Sequence, residues 1–212
     1  MKRQLGMLIA LLTLAGCNAP TVPDFSYYRL PRGAPLPAAK APLFKLPIVV
    51  EEYSADGLYA DQAMVYATDA SAEELRQYHY QLWIDPPSRM LQRRLIAQLR
   101  AAQAGTRVTD ELAASQNAVR IRGVILRLDR IPQSNGGRGV EVALKLRVDV
   151  PNGPPILDGN YRAEAVASGA DMKATAVAYG VALDRITAHF YHDLARSAAA
   201  YHSRADEHGD AH

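Results

Sequence analysis

Cysteine is almost absent from this chain: 212 residues hold one, Cys17. A disulfide framework is therefore excluded. Long apolar runs are equally scarce. The one in the sequence, Leu5 to Leu14, is shorter than the ~20 residues a permanent membrane-spanning helix needs. A surplus of charge of one sign is missing too. The whole chain carries 24 Lys and Arg against 22 Asp and Glu. Lys2 and Arg3 belong to the N-terminal segment, and without them the two signs balance. A chain with no net basic face is a poor partner for nucleic acid, so none is expected. Repeats at solenoid periods are absent as well.

Chemistry is the next thing lacking. No nucleophile, base and orienting group can be assembled from the chain, so no catalytic residue and no enzyme is expected. His189 and His192 stand three apart on a helical pattern, but no third ligand stands at a matching offset, so no metal site is expected. His202, His208 and His212 lie in a polar tail among Asp206, Glu207 and Asp210 and read as a solvated end. Gly136-Gly137-Arg138-Gly139 lacks the spacing and the following helix of a phosphate-binding loop and reads as a hairpin turn. Ser88 and Ser168 lack the nucleophile-elbow pattern and read as helix caps.

What is present begins at the N-terminus. Met1-Lys2-Arg3, the apolar run and a small-residue exit form a secretory signal peptide, and Leu14-Ala15-Gly16-Cys17 looks like a bacterial lipobox. Cleavage before Cys17 would leave its thiol to carry a covalent diacylglycerol, with an N-acyl lipid on its amine, and no further cofactor. Each buried acyl CH₂ is worth ~0.8 kcal/mol and one chain alone anchors only reversibly, so several chains would hold the domain on a membrane. By resemblance to bacterial lipoproteins, Asn18 after the cysteine implies sorting to the outer membrane, on its periplasmic face. The expected divisions are a signal peptide over 1–16, a lipidated tether over 17–23, one domain over 24–202 and a disordered tail over 203–212.

Along the domain, Asp24–Leu30 reads as a first strand and the Pro-rich stretch 31–47 as an irregular connection. Leu46–Tyr53, Gln62–Thr68 and Leu75–Ile84 read as strands, the last with Tyr78, Tyr80, Leu82 and Ile84 on a well-buried face. Asp85 or Ser88 would cap a helix running to Ala104 and stopped by Gly105, its apolar face Leu91, Leu95, Leu99 and Ala102. Arg89, Arg93 and Arg100 lie opposite, where they could contact a partner or lipid headgroups. Val119–Ile131, Val140–Val150 and Ile156–Val166 form an antiparallel meander joined by Asn135-Gly136-Gly137 and Pro151–Pro154. Ser168 or Asp171 would cap a long second helix ending near Tyr201. Tyrosines crowd the first half, at 27, 28, 53, 59, 66, 78 and 80, a composition suited to interfaces. The fold class is α+β: a mixed, mainly antiparallel sheet with two amphipathic helices packed on one face.

Five stretches together resemble a known family. They are Tyr27-Tyr28-Arg29-Leu30, Leu46-Pro-Ile-Val-Val50, Tyr78-His-Tyr-Gln-Leu-Trp-Ile-Asp-Pro-Pro87, Gly123-Val-Ile-Leu-Arg-Leu128 with the Val140–Val150 partner, and the Ala-rich helix 174–194. Their order and spacing resemble the ABC-type transport auxiliary lipoproteins of the paraquat-inducible protein C type. The resemblance implies a non-enzymatic accessory of a transenvelope system for lipids or organic solvent. It implies docking on an MCE-domain (mammalian-cell-entry type) tube fed by an ABC transporter or permease, with assembly into a homo-oligomeric ring. Two other readings stay open: a periplasmic chaperone holding a lipid or lipoprotein in a cavity between sheet and helices, and an outer-membrane assembly factor.

Overall fold

The computed structural model of the chain describes residues 22–113 and 116–209. Cys17, the lipobox, the tether as far as Thr21 and the last three residues lie outside them. Nine strands, two α-helices and a one-turn 3-10 helix over Gly57–Tyr59 are described: β1 (Ser26–Tyr28), β2 (Ile48–Val50), β3 (Ser54–Ala55), β4 (Ala63–Ala67), β5 (Leu75–Trp83), α1 (Pro87–Ala101), β6 (Val108–Thr109), β7 (Val119–Pro132), β8 (Arg138–Asp149), β9 (Leu157–Val166) and α2 (Met172–Gly209).

The fold is built on β7. Its fourteen residues are long enough to serve several neighbours at once. Along one edge it pairs antiparallel with β8, which pairs antiparallel with β9. Along the other edge β2, β3 and β4 take successive segments, each parallel. β5 then adds antiparallel to β4, and β1 parallel to β5. The long ladders are thus antiparallel and the short ones parallel, and the sheet is mixed.

Alternation puts Val119, Ile121, Gly123 and Ile125 of β7 on one face, opposite Val148, Leu146 and Leu144 of β8. Leu126 is an extra residue at a bulge. The parity therefore flips, and Leu128 continues the same face while Leu126 is left exposed. Both helices cover that face. Leu91, Leu95 and Leu99 of α1 and Tyr179, Leu183, Ile186, Phe190 and Leu194 of α2 join the sheet in one buried cluster. Trp83 is 1% exposed and meets the Tyr179 ring edge-on, centroids 5.2 Å apart. The Tyr179 hydroxyl donates to the Leu128 carbonyl at 3.2 Å, satisfying the polar tip that burial would otherwise strand.

Several expectations are corrected. β5 has no evenly buried side, because its ladder with β4 shifts register between Ala63 and Val65. Tyr78, Tyr80 and Leu82 end half-buried and Ile84 exposed, while Trp83 goes inward. α1 has no side-chain cap. Pro86 occupies the cap position, Asp85 pairs with Arg93, and Ser88 donates to Glu52. α1 also ends at Ala101. Gln103, at φ 55°, makes the left-handed step there. Gly105 is needed for a different reason: a Cβ on it would lie 2.9 Å from Ile48. α2 does not stop near Tyr201 but continues to Gly209, so the segment expected to be a disordered tail is helical over 203–209. Its cap is Asp171, whose carboxylate accepts the Ala174 amide at 2.7 Å.

Candidate functional site

The segment after β1 is a strap. Pro31 and Pro35 keep residues 29–35 out of helix and deny a ladder two donors, so the strap needs partners other than a strand. It finds them where α1 and α2 meet. Gly180 of α2 has no side chain, and Pro31 sits against it; a Cβ there would lie 3.0 Å from the Pro31 ring. Gly33 lies against Gln98 of α1, closer than any Cβ would allow.

Arg94 joins these parts. It stands three residues after Leu91 and one before Leu95 and so faces inward, 8% exposed. Its guanidinium donates to the Pro31 carbonyl, to the Gly180 carbonyl at 3.1 Å and to Asp184 Oδ1 at 2.8 Å. Asp184 Oδ1 also accepts the Ala34 amide at 2.7 Å, and Gln98 Nε2 donates to the Ala34 carbonyl at 3.0 Å. Burial depresses the Arg94 pKa and Asp184 holds it up, so Asp184 is what keeps a charge tolerable at this depth. One buried arginine thereby ties strap, α1 and α2 together.

Between the strap and α1 lies a groove of about 800 Å³. Leu30, Pro31, Pro35, Ile84, Met90, Ala97 and Ala101 give it an apolar lining, and Arg29, Arg32 and Arg93 stand around it. Arg93 is engaged with Asp85 at 2.9 Å. Arg29 and Arg32 are exposed, and among the described residues neither has an acidic partner.

The predicted arginine stripe is dispersed. Arg89 meets Glu52 at 3.5 Å, Arg93 meets Asp85, and Arg100 Nε donates to the Val108 carbonyl at 2.7 Å. Of the three, only Arg93 lines the groove. Sequence reasoning passed over Arg94 and Arg29. Arg94 could have been found from its helical phase, Leu91 to Arg94 to Gln98. Arg29 carries no such signal, because its place depends on where the strap crosses α1.

The other face of the sheet holds a second cluster. Asp129 and Glu141 are direct cross-strand partners, both buried. Arg127 meets Glu141 at 3.0 Å, and the Tyr59 hydroxyl donates to Asp129 Oδ1 at 2.7 Å. Among the described residues Asp129 Oδ2 has no hydrogen-bond partner, and burial raises the Asp129 pKa. Among the described residues no group of three or more His, Cys, Asp and Glu could hold a metal. No described helix is long and apolar enough to cross a membrane.

The sequence model of the family described as "ABC-type transport auxiliary lipoprotein component" matches residues 28–190. The fold is similar to the crystal structure of protein XCC0632 from Xanthomonas campestris, assigned to DUF330, with a TM-score of 0.71 at 14% identity over 84% of this chain and 99% of that one. It is also similar to the hypothetical protein CT253 from Chlamydia trachomatis, with a TM-score of 0.50 at 7% identity over 74% and 99%. These likenesses concern the fold alone. No curated protein matches the chain.

Proposed function

We propose a function from one premise: the chain belongs to the family of ABC-type transport auxiliary lipoprotein components. The family match carries the reading, because it spans 28–190, from β1 through strap, sheet and α1 into the buried half of α2. We infer a lipid-anchored accessory without catalytic activity, held by acyl chains on Cys17 at the periplasmic face of the outer membrane. There it would dock an MCE-domain tube fed by an ABC transporter or permease that moves lipid or organic solvent, as a homo-oligomeric ring. The mechanism is positional. Cys17 is nine residues from Ser26, where β1 begins, so an extended tether would reach at most ~30 Å before meeting the sheet. Beyond it, the Arg94 cluster fixes the strap to the helical layer. The compensated charges on α1 and the sheet support a protein surface rather than an electrostatic membrane anchor.

The carrier reading has less support. The space between sheet and helices is filled by Trp83, Tyr179, Phe190, Leu99 and Ile121, all under 2% exposed. No observation favours the assembly-factor reading.

The test is crosslinking of intact envelopes followed by purification of the tagged full-length chain. An MCE-domain protein is expected to copurify, and recovery of the chain alone would overturn the reading. Cys17→Ser should leave the circular dichroism spectrum unchanged and move the protein out of the membrane fraction. Retention in that fraction would sink the anchor assignment.

A further inference from the structure

We propose that the groove between the strap and α1 binds one acyl chain of an anionic phospholipid, with the lipid phosphate on Arg29 and Arg32. The interior argues for an alkyl occupant. Pro31 and Pro35 have no amide hydrogen, and Leu30, Ile84, Met90 and Ala97 contribute apolar side chains. A peptide laid there would bury amides without partners, at a cost an alkyl chain does not incur. The size agrees: about 800 Å³ falls in the ~300–1,000 Å³ range of small-molecule sites.

The rim argues for an anion. Arg29 and Arg32 are exposed and lack acidic partners among the described residues, whereas Arg89, Arg93 and Arg94 all have one. Asp85, the one acid on the lining among the described residues, is held by Arg93 at 2.9 Å. Phosphate suits an arginine pair because each guanidinium can donate two parallel hydrogen bonds to it. The groove also opens beside the C-terminal ends of β1 and β5, so lipid and anchored strap would meet on one side of the domain. This inference goes beyond the transport reading and does not rest on it.

The test uses the full-length chain carrying Cys17→Ser, so that no acyl chain can be its own. It is titrated calorimetrically with lysophosphatidylglycerol below its critical micelle concentration. Lysophosphatidylcholine and glycerol 3-phosphate are the controls for head charge and for the chain. One lysophosphatidylglycerol per chain is expected, with the two controls bound at least about tenfold more weakly. Arg29→Ala with Arg32→Ala should cost about tenfold or more, and added salt should weaken binding. Ala97→Trp, which fills the groove from an exposed helix position, should abolish binding at an unchanged melting midpoint. If that midpoint falls, Ala101→Leu carries the same expectation. Glycerol 3-phosphate binding as tightly as the lysolipid would reduce the site to a surface anion contact and overturn the proposal. So would equal binding of both lysolipids with no effect of the arginine pair. Undiminished binding by the groove-filling variants would place the chain elsewhere, on the exposed Phe25 and Tyr27 for instance, and overturn it too. No transporter is present in the titration, so its failure and a failed copurification are separate results.

Discussion

Removing the Arg94 guanidinium should release the strap without unfolding the domain. In Arg94→Ala, three acceptors lose a donor: the Pro31 and Gly180 carbonyls and Asp184 Oδ1. Breaking a buried ion pair by deleting one partner costs ~3–5 kcal/mol. Asp184 is 27% exposed on its side chain and keeps the Ala34 amide and Gln98 Nε2, so water and two donors soften that figure. The expected loss is ~2–3 kcal/mol in the urea midpoint analysis. Arg94→Met with Asp184→Ala removes both charges while keeping the aliphatic stem, and should recover part of the loss. The local assay is amide hydrogen exchange at Ala34, whose N–H is held by Asp184 Oδ1. Exchange there should accelerate in Arg94→Ala, while core amides such as Val142 move only with global stability. A variant within ~0.5 kcal/mol of the parent, with Ala34 exchange unchanged, would refute the claim that Arg94 holds the strap.

Trp83→Ala should cost ~3–5 kcal/mol, because a fully buried indole leaves a cavity against Tyr179; an unchanged thermal midpoint would contradict that packing. Gly123→Ala would place a Cβ 2.6 Å from the Tyr53 ring and should lose ~1–3 kcal/mol by overpacking; Tyr53→Ala in the same chain should relieve the clash, and an additive double mutant would rule the contact out. Asp129→Asn tests the buried acid. Burial raises the folded pKa of Asp129 above 3.8, so its contribution is fully present below the unfolded pKa and is lost as pH rises through the folded one. The substituted amide can still accept from Tyr59, so the variant should gain on the parent as pH climbs from the unfolded value toward neutrality; a difference independent of pH in urea titrations would refute it.

The meander and both helices were legible because their signals are long. Val140 to Val150 alternates without a break, and all six inward positions are buried. Leu91, Leu95 and Leu99 keep helical phase for two turns. β3 and β6 were missed because two residues cannot show a period; they exist only because β7 and β2 present edges to them. The β5 faces were misread because a register shift against β4 is a tertiary event that alternation does not record. Helix ends were misjudged where local chemistry was diverted: Asp85 and Ser88 are good caps, but Arg93 and Glu52 engage them first. The same diversion hid the site. Arg89, Arg93 and Arg100 look alike in sequence, and only contacts from the 52, 85 and 108 segments show which charges are already answered.

The strap carries a consequence for the positional mechanism. Any load between an anchor at Cys17 and the domain enters at the N-terminal end and meets β1 first. Among the described residues β1 is an edge strand of three residues, paired to β5 alone, and short edge ladders open easily. The next restraint is the strap, where the bonds from Arg94, Gln98 and Asp184 are partly shielded from water and therefore stronger than surface ones. Beyond that cluster lies a Pro-rich stretch whose hydrogen bonds into the α1 end, Ala39 N to Ala102 O and Leu43 N to Ala104 O, are widely spaced. Losing Arg94 would thus lengthen the effective tether by the strap and its continuation while leaving the core intact. If position is the function, Arg94→Ala should stay in the membrane fraction yet recover less MCE-domain partner after short-range crosslinking, whereas Gly123→Ala, matched in stability loss, should recover as much as the parent. Equal loss of partner in both variants would show that stability, and not the length of the tether, governs docking.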